Sequence, residues 1–123
     1  MAELLDSDLP VERQDVFDVR QVCRDTLLEN LVGADLVDLE QGSVSKIHRH
    51  NRAETVLYFL DGAADVVVGE DTVHVRKGDR LRIGKGVFHG LRTPDSKVTF
   101  LSVQTPPILD KSTGVLDLEP RGD

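Results

Sequence analysis

The residues of this chain best suited to chemistry are its four histidines, three of which fall in informative places. In the stretch Lys46-Ile47-His48-Arg49-His50, two histidines stand two apart. On a β-strand, positions i and i+2 project from the same face, so His48 and His50 would leave one rigid edge together. A transition-metal ion needs such a pair, with nitrogens converging on it at about 2.0–2.2 Å. His89 lies in the glycine-rich stretch from Gly84 to Gly90 and could close the site from across a barrel. By itself a histidine pair is more often solvated on an edge strand than bound to a metal, and it is the third histidine that favours the metal. His74, between Val73 and Val75, is expected to face solvent beside Thr72 and Arg76.

Other candidates carry less. Tyr58 is the one phenol near these histidines and could donate a proton, but Val56, Tyr58 and Leu60 also read as one packed strand face. Arg80 and Arg82 share a face opposite Leu81 and Ile83. Inside a barrel they could grip a carboxylate or phosphate with forked hydrogen bonds, and outside it they are ordinary solvated charges, the reading taken here. The Gly84-Lys85-Gly86 turn is no phosphate loop, because no helix is expected behind it.

The elements that must position these residues are short strands. From residue 31 to about 104, runs rich in Val, Leu and Ile are broken by Gly, Asp, Asn, Lys or Pro every 8–12 residues or so, the pattern of an all-β sandwich or barrel. Val16 to Val22 reads as a further strand. No stretch after residue 31 keeps a helical apolar period over a dozen residues, so helices should be few. Residues 1–13 read as a flexible arm, and 105–123 as an extended C-terminal arm. In that arm Leu116 and Leu118 share a face that could pack across the barrel or onto a second subunit. Arg121-Gly122-Asp123 matches a cell-adhesion tripeptide and is read as a coincidence in a frayed tail.

Gly42, five residues, His48-Arg49-His50, three residues, Glu54 and then Gly62 resemble the first motif of the cupin superfamily. Gly78, five residues, Gly84-Lys85-Gly86, two residues and His89 resemble the second. The resemblance implies a single-domain, all-β double-stranded β-helix, a jelly-roll-like barrel, over about 31–104, with both arms extended. It also implies a metal on His48, His50 and His89, with a carboxylate for which Glu54 is the candidate. Three departures stand out: Gly84 replaces the usual proline, Thr93 the usual asparagine, and the carboxylate is out of register. Counted back from Gly62, its place falls on Thr55, and one residue of slip turns a strand side chain to the opposite face. Two readings stay open. Either the backbone at Asn51-Arg52-Ala53 is tightened so that Glu54 still reaches the metal, or the site is three histidines and water, with Thr55 facing it. Strand register favours the second. The stretch from His48 to Glu54 is also similar to the cupin part of mannose-phosphate isomerase-like proteins, from which no sugar specificity follows.

Such an open site, with Fe, Mn, Ni, Cu or Zn, suits dioxygenase or isomerase chemistry on a small polar organic molecule. Catalysis itself stays uncertain, and Tyr58 and Glu54 are only weak catalytic candidates. The alternative is a non-catalytic cupin module that binds or senses a small ligand. With 22 acidic and 15 basic residues the net charge is −7, which argues against nucleic acid as a partner. Four Phe, one Tyr and no Trp leave few platforms for bases and call for an aliphatic core. Cys23 is the single cysteine, so no internal disulfide can form. Neither a signal peptide nor a membrane-spanning segment is evident, so the expected setting is the cytoplasm, with no membrane partner. The resemblance also implies a homodimer, with Phe17 to Val22 and Ile108 to Leu118 as natural arms.

Overall fold

The computed structural model describes residues 1–6 and 8–122. Among them the chain forms β1 (Glu12–Gln14), β2 (Phe17–Gln21), β3 (Gly33–Leu39), β4 (His48–Arg49), β5 (Glu54–Asp61), β6 (Ala63–Val68), β7 (Asp71–Arg76), β8 (Arg80–Ile83), β9 (His89–Arg92), β10 (Val98–Thr105) and β11 (Glu119–Pro120). One turn of 3-10 helix, Leu27–Asn30, follows β2, started by the Thr26 side chain accepting the Leu28 N–H. All pairings are antiparallel. One sheet runs β1-β2-β3-β10-β5-β8 and the other β11-β4-β9-β6-β7.

From β3 onward the chain passes back and forth between the two sheets, which is how an antiparallel sandwich winds into a jelly roll. Alternation along each strand then decides what lies inside. On β5, Thr55, Leu57 and Phe59 are buried, while Glu54, Val56, Tyr58 and Leu60 face outward. The inner faces of both sheets meet in a core that includes Val19, Val37, Leu39, Leu57, Phe59, Val66, Ile83, Leu91 and Phe100. Phe59 and Phe100 are cross-strand partners with ring centroids 5.5 Å apart, and they fill much of a core that holds few other rings.

The corner between β5 and β6 is a single residue, Gly62, at φ +78°. A Cβ there would lie 2.1 Å from the Lys97 carbonyl oxygen, so only glycine lets the strand turn from one sheet to the other so close to the β9–β10 connection. The other end of that connection is secured by Thr93, at the position where asparagine was expected. It is wholly buried, its hydroxyl donating to the Glu40 carbonyl (2.7 Å) and accepting from the Ser43 N–H (3.0 Å). A hydroxyl thus supplies both a donor and an acceptor to this turn.

Both arms are more engaged than the sequence suggested. Glu12 and Arg13 belong to β1, which borders β2. β2 lies in its own sheet beside β3 and is not an arm free for pairing. The C-terminal tail folds back to lay β11 against β4, and the Arg121 N–H donates to the Ile47 carbonyl (2.9 Å). The last residue of the cell-adhesion tripeptide, Asp123, lies outside the described residues. Among the described residues no helix is long and apolar enough to cross a membrane.

Candidate metal centre

His48 sits on β4 directly opposite His89 on β9, and His50 follows one residue past the end of β4. The three rings form a compact triangle, with centroids 4.6 Å (His48–His89), 5.0 Å (His48–His50) and 5.2 Å (His50–His89) apart. Each offers a nitrogen, and these nitrogens all lie within 4.8 Å of one another. His50 and His89 are buried and His48 half-buried.

Hydrogen bonds decide which nitrogen is free. The His50 Nδ1 lies 2.7 Å from the Asp117 carbonyl oxygen, and the His89 Nδ1 lies 2.9 Å from that of Val87. A carbonyl oxygen can only accept, so each Nδ1 carries the proton and each Nε2 keeps its lone pair. Burial, and after it the neighbouring His89 and His50, push the His48 pKa down from 6.5 to about 4. Burial lowers His89 as well. At neutral pH His48 and His89 are therefore uncharged, the form that binds metal. Three imidazole nitrogens gathered within 4.8 Å of one another, with the His50 and His89 rings each fixed by a hydrogen bond from Nδ1, fit a divalent transition-metal ion.

Glu54 is not brought to this group. It lies on the outer face of β5, where its carboxylate pairs with the Arg82 guanidinium of β8. A carboxylate ligand at residue 54 is therefore corrected: the backbone at Asn51-Arg52-Ala53 does not turn Glu54 inward. Thr55 points inside instead, as the strand register favoured, and its buried hydroxyl has no hydrogen-bond partner. Tyr58 is 40% exposed on the outer face, away from the interior where a proton donor would have to act. Arg80 and Arg82 are on the outside, and the exposed His74 pairs with the Asp65 carboxylate.

Asp117 is the site residue that sequence reasoning missed. Leu116 and Leu118 drew attention as an apolar face, yet they are 54% and 38% exposed while Asp117 is 6% exposed. Its Oδ1 accepts the Asn51 N–H (2.7 Å), and its Oδ2 accepts those of Arg52 (2.9 Å) and Ala53 (3.0 Å). Burial pushes this carboxyl up, but the three amides and His50 together outweigh it and hold the pKa below the usual range. Nearby, Glu119 takes hydrogen bonds from the Arg49 Nε (2.8 Å) and the Asn51 Nδ2 (3.1 Å). The Arg49 guanidinium lies 4.6 Å from the centre of the Phe88 ring. An aspartate between two leucines carries no signal of such a role by type or spacing.

The fold has well-matched counterparts among solved structures. KdgF from Halomonas sp. superposes with a TM-score of 0.72 at 16% identity, over 85% of this chain and 94% of that one. A protein of Thermotoga maritima, described as a predicted oxalate decarboxylase, gives 0.73 at 18% identity, over 84% and 97%. The oxalate decarboxylase of Lactobacillus farciminis gives 0.72 at 20% identity, over 92% of this chain but 33% of that larger one. At such identities the likeness is one of fold. No curated protein sequence matches the chain significantly. The family model for the cupin domain, however, matches residues 35–104, more than half of the chain and the whole span from β3 to β10 apart from its ends. The chain belongs to the cupin family.

Proposed function

We propose that this cupin holds one divalent transition-metal ion (Fe, Mn, Ni, Cu or Zn) on His48, His50 and His89 and acts on a small polar organic molecule. The observation that carries the reading is the set of three ring nitrogens within 4.8 Å of one another, among buried and half-buried imidazoles, two of which have their Nδ1 engaged by main-chain carbonyls. When bound, the ion would supply Lewis acidity and open positions for a substrate oxygen, which suits dioxygenase or isomerase-type chemistry. The three imidazoles leave the ion's charge uncompensated, since among the described residues no carboxylate belongs to the group. That favours an anionic or oxygen-rich substrate. Two structural neighbours named as oxalate decarboxylases support the same direction. A cytoplasmic setting suits the free thiol of Cys23.

Elemental analysis of untagged protein, purified without chelator, tests the site. About one equivalent of metal per chain is expected, lost in His48→Ala and His89→Ala and retained in Glu54→Ala. Protein that stays metal-free after incubation with all five metals overturns the reading. The buried, unpartnered Thr55 hydroxyl, at the register position where the family resemblance expects a carboxylate, favours a second reading: a module that binds a small ligand without turning it over. A metabolite that raises the melting temperature with no turnover would support it.

The proposed partner is a second copy of the chain. Leu36, Leu101 and Tyr58 lie side by side across three strands on the outer face of the six-stranded sheet, with Val103 and Val56 in the next row. Tyr58 is 40% exposed and Val56 and Val103 36% each, an apolar block in mid-sheet of the kind that seeks cover.

A further inference from the structure

The three imidazoles are not held alike. His48 and His89 are cross-strand partners, and the His89 ring bonds the main-chain carbonyl of Val87, only two residues away. His50 lies beyond the end of β4, in a stretch that is not strand. Its ring partner is the carbonyl of Asp117, 67 positions away.

The stretch after His50 depends on the same residue. Three consecutive amides, those of Asn51, Arg52 and Ala53, converge on the one Asp117 carboxylate at 2.7–3.0 Å. Successive N–H groups turned to one side form an anion-binding concavity, and here the occupant is a side chain of the protein itself. Asp117 is held in turn by its N–H donating to the Ile108 carbonyl (2.8 Å) and by β11 pairing Glu119 with Arg49 and Pro120 with His48. On the other side, the Gly86 N–H donates to the His50 carbonyl (2.7 Å). The family match ends at residue 104, so this clasp belongs to chain outside the cupin domain proper.

We propose that Asp117 is a positioning residue for the metal centre. Its carbonyl keeps His50 in the tautomer that presents Nε2, and its carboxylate fixes the 51–53 backbone that carries the ring. The C-terminal tail thereby sets how tightly the ion is held. This rests on the three-histidine reading above. Both carboxylate oxygens accept N–H groups, so an amide in their place would turn an NH2 towards a donor. Asparagine should therefore fail to restore the contact.

The test compares wild type, Asp117→Asn, Asp117→Ala and Leu116→Ser, the last changing a half-exposed neighbour that the site does not use. Zinc affinity is read by chelator competition, and the His50 tautomer by long-range 1H–15N NMR of metal-free protein. Both Asp117 variants should bind zinc roughly 10- to 100-fold more weakly, the loss typical of outer-shell partners. Their His50 should show mixed tautomers, with Leu116→Ser matching wild type. Asp117 variants that keep wild-type affinity and a single His50 tautomer overturn the proposal. If one of them does not fold, the other and the wild-type tautomer still decide it, since a wild-type His50 protonated on Nε2 contradicts the proposal directly. Wild type that binds no zinc or other metal sinks the metal reading instead, a result distinct from equal binding in all four proteins.

Discussion

At the scale of single residues, His48 ties the site to the stability of the whole chain. Burial first, then His89 and His50, lower its pKa from 6.5 to about 4. The unfolded chain takes up this proton as the pH falls through about 6.5, and the folded chain only near 4. Between those values the unfolded state binds more protons, so acid favours it. The difference is on the order of 3 kcal/mol for His48, and burial of His89 acts with the same sign. The melting temperature of the metal-free protein should therefore fall steadily from pH 6.5 to 4, and a flat profile over that window would contradict the burial of a neutral His48. These residues were legible because a histidine pair at strand spacing and a third histidine behind a glycine-rich turn are local signs. Thr55 was legible too, since a period of two decides between it and Glu54. Asp117 was not, because what defines it is a contact 64 to 67 positions away.

At the scale of elements, β2 to β10 were readable in order from the turn residues, while β1, β11 and the strand lengths were not. His48 and His50 were read on one strand, yet β4 holds only His48 and Arg49, and His50 lies just past its end. Before β4, the Leu91 N–H donates to the Ser45 side-chain oxygen (2.9 Å) and the Ser45 N–H to the Leu91 carbonyl (2.9 Å), so a hydroxyl stands in for a ladder partner. The corners offer a comparison. Gly42 and Gly62 both have positive φ, +82° and +78°, but a Cβ on Gly42 meets nothing within 4 Å. Gly42→Ala should cost about 1–2 kcal/mol, the backbone penalty alone. Gly62→Ala adds the collision with Lys97 and should cost at least about 3 kcal/mol. Chemical denaturation of the two variants checks the order, and equal losses would mean that the β9–β10 connection yields.

At the scale of the molecule, the apolar block on the six-stranded sheet bears on assembly. Arms were expected to mediate pairing, but β2 and the tail are engaged within the chain, which leaves the sheet face as the exposed apolar surface of that sheet. Light scattering at micromolar concentration should give twice the 13.6 kDa chain mass, and Leu101→Glu, in the middle of the block, should halve it. A monomeric wild type would rule out self-pairing through this face.

The return of the tail to β4 also imposes an order in time. Synthesis delivers His48, His50 and His89 before Asp117 emerges, so a nascent chain can close β4 on β9 while the loop after His50 still lacks its anchor. On the proposed metal reading, an ion encountered at that stage would meet two settled ligands and one wandering one. Secure loading would then be a late event in the life of the polypeptide, and proteolytic nicking of the exposed turn at Ser112 to Val115 would return a mature molecule to that immature condition.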